Sequence, residues 1–441
     1  MKSLYFIWIM FFSIFSNAQN TFEPTDTEKT TIRFQLINNL IFIPVNINGA
    51  DLTFLLDTGV QETSIFSLED KELQLSHVEK IKFSGLGGSV VIDGFRSDNN
   101  IGRIGNNLVN KSLSLFIIID QEFNISSHVG IPVNGIIGYH FFKNHPVVID
   151  YTAKKITIYN NEQLFKRKMR KFTEFPVSIE KSKPYIYADV EMTRERKNSK
   201  LLIDLGNSDP IWLFPALIKD FVYNRPNIDD FLGRGFNGDV YGKRSRIHAF
   251  YLGNFRFEKP ITAMPHEFSI QHINLVENRK GSIGGDIMKR FTVAFDYQNE
   301  KMYLKRNSNY DDPFNFNMSG LDFKQDGLQW EKNLVKLETP HMPKSANETP
   351  VINKSLQYKF TLKPIFSIAG VRKDSPAFKA GLLKDDLVIS INGNKTSDMT
   401  LEKIMELMKS HEGKTITMII QRKKESLTLS FTLEDPIPYQ E

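Results

Sequence analysis

Phe54-Leu55-Leu56-Asp57-Thr58-Gly59 and Leu201-Leu202-Ile203-Asp204-Leu205-Gly206 are the two stretches that decide how this chain folds. Each is a strongly apolar run that ends on a carboxylate and a glycine. An apolar run of this length reads as a buried strand, and Asp-Xaa-Gly reads as the turn that ends it. One such stretch alone would be an ordinary turn. Two of them in similar settings ask whether the chain is duplicated.

The surrounding landmarks answer that. After the first copy come Gly85-Leu86-Gly87-Gly88, Gly135-Ile136-Ile137-Gly138 and Val147-Val148-Ile149-Asp150-Tyr151. After the second come Gly233-Arg234-Gly235, Ser282-Ile283-Gly284 and Val293-Ala294-Phe295-Asp296-Tyr297. Asp57 and Asp204 are 147 positions apart, Gly85 and Gly233 are 148, and Gly138 and Gly284 are 146. Asp150 and Asp296 repeat the spacing of 146. Shared β composition does not hold register over that distance, so two homologous lobes are expected, over 30–160 and 161–308. Short β-like runs broken by Gly, Asn and Asp fill both, and the class is mostly β.

Lobes related by a pseudo-twofold bring Asp57 and Asp204 together at their interface. Two carboxyls at close range do not both ionise readily, so they share one proton over a wide pH range. Such a pair suits hydrolysis: one member accepts a proton from water while the other donates to a carbonyl oxygen.

Leu55-Leu56-Asp57-Thr58-Gly59 resembles the active-site signature of pepsin-like and retroviral-type aspartic peptidases. Gly135-Ile136-Ile137-Gly138 and Ser282-Ile283-Gly284 resemble the segment that packs beneath each active-site loop in that family. The likeness covers roughly 30–308, with motifs in family order in both lobes. It implies a double-lobed β fold and peptide-bond hydrolysis by Asp57 and Asp204. Thr58, Gly59 and Gly206 would support the active-site loops, with Thr58 hydrogen-bonding across the lobe interface. Gly85, Leu86, Gly87 and Gly88 would form the flap over substrate. The second copy departs from the pattern, because Leu205 stands where the family has a hydroxyl residue, and one interlobe hydrogen bond is lost with it. A catalytically inactive peptide-binding protein of the cell envelope is the alternative that this departure supports.

Beyond 308 the composition changes. Residues 309–357, rich in Pro, Asn, Lys and Ser toward 338–354, read as a linker, with Gly320-Leu321-Asp322-Phe323 as a candidate first strand of the next domain. From 358 to 436 the pattern is compact. Ser375-Pro376-Ala377, Ala380-Gly381-Leu382 and Asp386 to Gly393 stand in order, and Leu401, Ile404, Met405 and Met408 mark one helix face. This stretch resembles a PDZ domain, an α+β module. The resemblance implies capture of a C-terminal peptide, with Lys363-Pro364-Ile365-Phe366 as the loop receiving its carboxylate.

Bulk properties narrow the rest. The balance of 56 Lys+Arg against 51 Asp+Glu leaves +5, too dispersed for a nucleic-acid surface. With no cysteine and no His-Glu-Xaa-Xaa-His, neither disulfides nor a zinc site is expected, and no cofactor is called for. Gly233-Arg234-Gly235-Phe236-Asn237-Gly238 lacks the βαβ setting of a dinucleotide fingerprint, and the repeat already accounts for it. Lys2, the apolar run Leu4 to Phe15 and Ser16-Asn17-Ala18 read as a signal peptide over 1–18, hence an extracytoplasmic protein, periplasmic or secreted, without a membrane span after its removal. The expected partners are a polypeptide substrate and a C-terminal peptide ligand.

Overall fold

The computed structural model describes residues 20–25, 27–69, 71–83, 92–118, 125–192, 195–219, 221, 223–235, 238–270, 275–341 and 351–440. The leader expected at 1–18 and the Gly85–Gly88 segment lie outside these.

In the first lobe, Leu40–Ile47 turns directly into Ala50–Leu56. Asn48 and Gly49 sit at φ +48° and +94°, the conformation that a two-residue hairpin needs and that Asn-Gly supplies at least cost. Ala50–Leu56 then pairs in parallel with Gly135–Ile137, placing Leu55 beside Ile136 and Leu56 beside Ile137. The second lobe repeats this. Lys183–Glu191 pairs with Arg196–Ile203, which lies parallel to Arg279–Ile283 with Ile203 beside Ile283. Runs buried on both faces explain why these strands read as continuous apolar sequence rather than alternation.

A third sheet joins the lobes. Val147–Asp150 pairs antiparallel with Phe291–Asp296 in the register Val147↔Phe295, Val148↔Ala294, Ile149↔Val293. Val148 and Ala294 are 146 apart, the repeat spacing itself. Shifting either flanking pair by that spacing returns the other pair, so the pseudo-twofold passes through Val148↔Ala294. Val147, Ile149, Val293 and Phe295 are fully buried here.

The C-terminal sheet is ordered Leu321–His341, Val351–Val371, Leu387–Ile391, Thr415–Arg422, Glu425–Thr432. The helix Leu401–Met408, capped by the Thr400 hydroxyl, places Leu401, Ile404 and Met408 in its core. Composition suggested a linker over 309–357. Instead Leu321–His341 and Val351–Val371 form one long antiparallel ladder that runs through most of it.

After its last strand the chain returns to the second lobe. Ile437 is fully buried in the apolar core of the two lobes, Arg246 Nε donates to its carbonyl at 3.1 Å, and Arg246 also pairs with Asp435 at 3.4 Å.

Candidate active site

Each candidate aspartate stands one residue beyond a buried strand. The backbone N–H of Asp57 donates to Ile137 O and that of Asp204 to Ile283 O, both at 2.9 Å. The two apolar-apolar-glycine segments therefore fix the two carboxylates in equivalent ways. Glycine is required where the loops cross these segments: a Cβ on Gly138 would run into Val60 O, and one on Gly284 into Asp209 O.

The two carboxyls meet at the lobe interface. Gly59 N–H donates to Asp57 Oδ1 at 2.6 Å, and Gly206 N–H from the other lobe reaches the same oxygen at 3.2 Å. A Cβ on Gly59 would lie 2.9 Å from Asp204 Oδ1, and one on Gly206 would overlap the Asp57 carboxyl. These two positions exclude side chains because the opposite aspartate occupies the space.

Thr58, 1% exposed, joins the lobes. Its hydroxyl donates to Ile203 O at 2.6 Å and accepts from Leu205 N–H at 3.1 Å. Leu205 makes no reciprocal polar contact through its side chain, which is buried in the shared apolar core. The interface is thus held by one hydroxyl and, on the other side, by packing.

The electrostatics of the pair are unequal. Burial, then the neighbouring Asp204, push the Asp57 carboxyl up to about 7 from the usual 3.8. Burial also raises Asp204, but Arg279 and Lys183 oppose this. Both carboxyls are thus held above the ordinary carboxylate range, so the pair keeps one proton between them over a wide pH range. Arg279 is 7% exposed, donates to Gly281 O at 3.1 Å and lies over the Phe214 ring at 5.2 Å.

Neither cation was singled out from sequence. Lys183 was findable: Tyr185 pairs with Leu202, so the same register carried two steps on sets Lys183 across from Asp204. In the first lobe Phe42 pairs with Leu55, which puts Leu40 across from Asp57. Arg279 precedes its strand's register shift, and no spacing in the sequence points to it.

In the C-terminal domain, Lys363, Pro364, Ile365 and Phe366 do not form a carboxylate-binding loop. They lie inside the Val351–Val371 strand, with Lys363 opposite Gln329, Pro364 opposite Leu328 and Phe366 opposite Gln325. The PDZ resemblance implied a loop here, but Pro364 sits at the register shift between Gln325 and Leu328, where a missing N–H is tolerated. The tight turn of the domain is at Gly320 (φ +79°), just before Leu321–His341. That strand contacts the helix Leu401–Met408 on one side and the first-lobe helix Ile125–Val129.

Two β lobes about a pseudo-twofold, each offering one aspartate to a common cleft, define an aspartic-peptidase fold, and a PDZ domain follows it. Comparison with known proteins agrees. Residues 43–141 match the family model described as aspartyl protease, and residues 367–422 match that described as PDZ domain. The crystal structure of aspartic proteinase from Irpex lacteus aligns at 11% identity and a TM-score of 0.42, over 65% of this chain and 100% of that one. No curated protein matches.

Proposed function

We propose that the chain is an extracytoplasmic aspartic endopeptidase that uses Asp57 and Asp204 on a shared water, with its PDZ domain capturing a peptide end. The observation that carries the reading is the meeting of the two carboxyls across the lobe interface, with Asp57 Oδ1 fixed by Gly59 and Gly206. Asp204, charged beside Arg279 and Lys183, takes a proton from the water as its oxygen bonds to the scissile carbonyl carbon. Asp57 gives its proton to the carbonyl oxygen, forming a neutral tetrahedral diol. Collapse of the diol breaks the C–N bond, the proton held by Asp204 goes to the leaving amine, and one diol hydroxyl returns its proton to Asp57 as the new carboxyl C=O forms. The aspartates return with one proton between them.

Thr58 keeps the geometry. It acts through the backbone of 203–205 and is a positioning residue rather than a catalytic one. An arriving peptide would add to the outer edge of Leu321–His341, beside Leu401–Met408, displacing the first-lobe segment at Ile125–Gly130 that meets Leu401 and Gln325 there.

The test is cleavage of a diverse peptide library by the parent, Asp57→Asn and Asp204→Asn. Cleavage by the parent alone, blocked by a hydroxyl-bearing transition-state mimic, supports the assignment. Undiminished activity in Asp57→Asn would sink it.

A further inference from the structure

The ladder of Leu321–His341 with Val351–Val371 extends well beyond the domain core, and its two faces differ in kind. Cross-strand partners in an antiparallel pair share a face. From the register, Leu328, Trp330, Lys332, Leu334 and Lys336 lie on one face with Pro364, Leu362, Phe360, Tyr358 and Leu356. Gln329, Glu331, Asn333 and Val335 lie on the other with Lys363, Thr361, Lys359 and Gln357.

The polar face is tied down. Lys363 pairs with Asp398 at 2.7 Å, and Glu331 with Lys395 at 3.7 Å. Both partners belong to the domain body, so the opposite face is turned away from it. There the seven large apolar side chains are bare: Trp330 is 70% exposed, Leu356 62% and Tyr358 60%, and none of the others is below 50%. A contiguous one-sided apolar surface of this kind is uncommon on a soluble domain and marks an interface.

We propose that this face docks on an anionic lipid surface. By the same register it carries Lys332 and Lys336 and, at the next position along, Glu338 opposite Lys354, a net charge of +2. Lys332 already lies along the Tyr358 ring, 3.8 Å from its centre. Aromatic and aliphatic groups with an excess of cations suit the headgroup boundary, where rings enter the interface and lysine stems let their ammonium groups reach phosphate. Packing against a second copy would set this net positive charge against its equal. The chain's net charge of +5 acts in the same direction. Among the described residues no helix is long and apolar enough to cross a membrane, so attachment here is peripheral. The proposal does not depend on the proposed catalysis.

The test is co-sedimentation of the purified chain with phosphatidylcholine vesicles that contain about one-third phosphatidylglycerol, and with vesicles lacking it. Three forms are compared: the parent, Trp330→Gln/Phe360→Gln, and Lys332→Gln/Lys336→Gln. All four positions are exposed, so the variants fold, which their circular dichroism checks. The expected result is binding to the anionic vesicles, weakened about tenfold or more in the apolar variant and about fivefold per lysine in the other. Equal binding by parent and apolar variant overturns the proposal, as does no binding by the parent. A parent dimer in sedimentation velocity that the apolar variant loses, without lipid binding, assigns the face to a second copy. Parent-specific capture of an unfolded polypeptide, again without lipid binding, assigns it to protein clients.

Discussion

Replacing Thr58 by valine removes a hydroxyl and leaves the shape of the side chain nearly unchanged. The cost follows from what that hydroxyl touches. It donates to Ile203 O and accepts from Leu205 N–H, and the group is almost wholly buried. Without it, a carbonyl and an amide of the second lobe lose their partner where water has little access. Each buried orphan costs about 1–3 kcal/mol, so Thr58→Val should lower the unfolding free energy by about 2–6 kcal/mol. Thr58→Ser keeps both hydrogen bonds, loses one methyl group and should cost about 1 kcal/mol. Leu205→Thr does not mirror it, because Leu205 is 1% exposed in an apolar setting, and the added hydroxyl costs about 1–3 kcal/mol unless it finds a partner. Urea unfolding followed by fluorescence tests this. Trp212 reports on the strand beside Ile283, whereas Trp330 is already exposed and contributes little change. A loss below about 1 kcal/mol for valine, or equal losses for serine and valine, would refute the claim that this hydroxyl joins the lobes.

Other expectations follow from the same site. With Asp57 pushed up to about 7, peptide cleavage should fall as pH rises through that value, which a pH–rate profile reads directly. The folded state holds that proton more tightly than the unfolded chain, so the associated stability is full below about pH 4 and lost as pH rises through about 7. Asp57→Asn should therefore be inactive yet flatten this dependence in denaturant titrations. Lys183→Met removes a cation that lowers both carboxyls, so both limbs of the pH–rate profile should move to higher pH. Gly206→Ala should reduce kcat at least about a hundredfold with little change in fold, because its methyl enters the space of the Asp57 carboxyl. Ile437→Ala should cost about 2–4 kcal/mol and make 435–440 more open to proteolysis, since this tail residue is fully buried in the peptidase core.

The sequence by itself determined the duplication, the β class and the two aspartates. Those features are encoded in apolar strands and in glycines at places where a side chain would collide, and they repeat at a fixed spacing that needs no coordinates to read. The PDZ domain was legible for the same reason, through its capped helix and the turn chemistry around Ser375 and Gly381. Tertiary structure decided what depends on register and on contacts between distant segments. Which strand presents an edge could not be read from Lys363-Pro364-Ile365-Phe366, because a proline at a register shift and a proline in a loop look alike in sequence. The electrostatics of the aspartates depend on Lys183, which acts on both, and on Arg279, which acts on Asp204, brought to the site by strand pairing. The exposure of the Trp330–Phe360 face follows from the ion pairs that hold its polar side to Lys395 and Asp398. Alternation alone marks such a ribbon as two-sided, but only its packing shows which side is left without a partner.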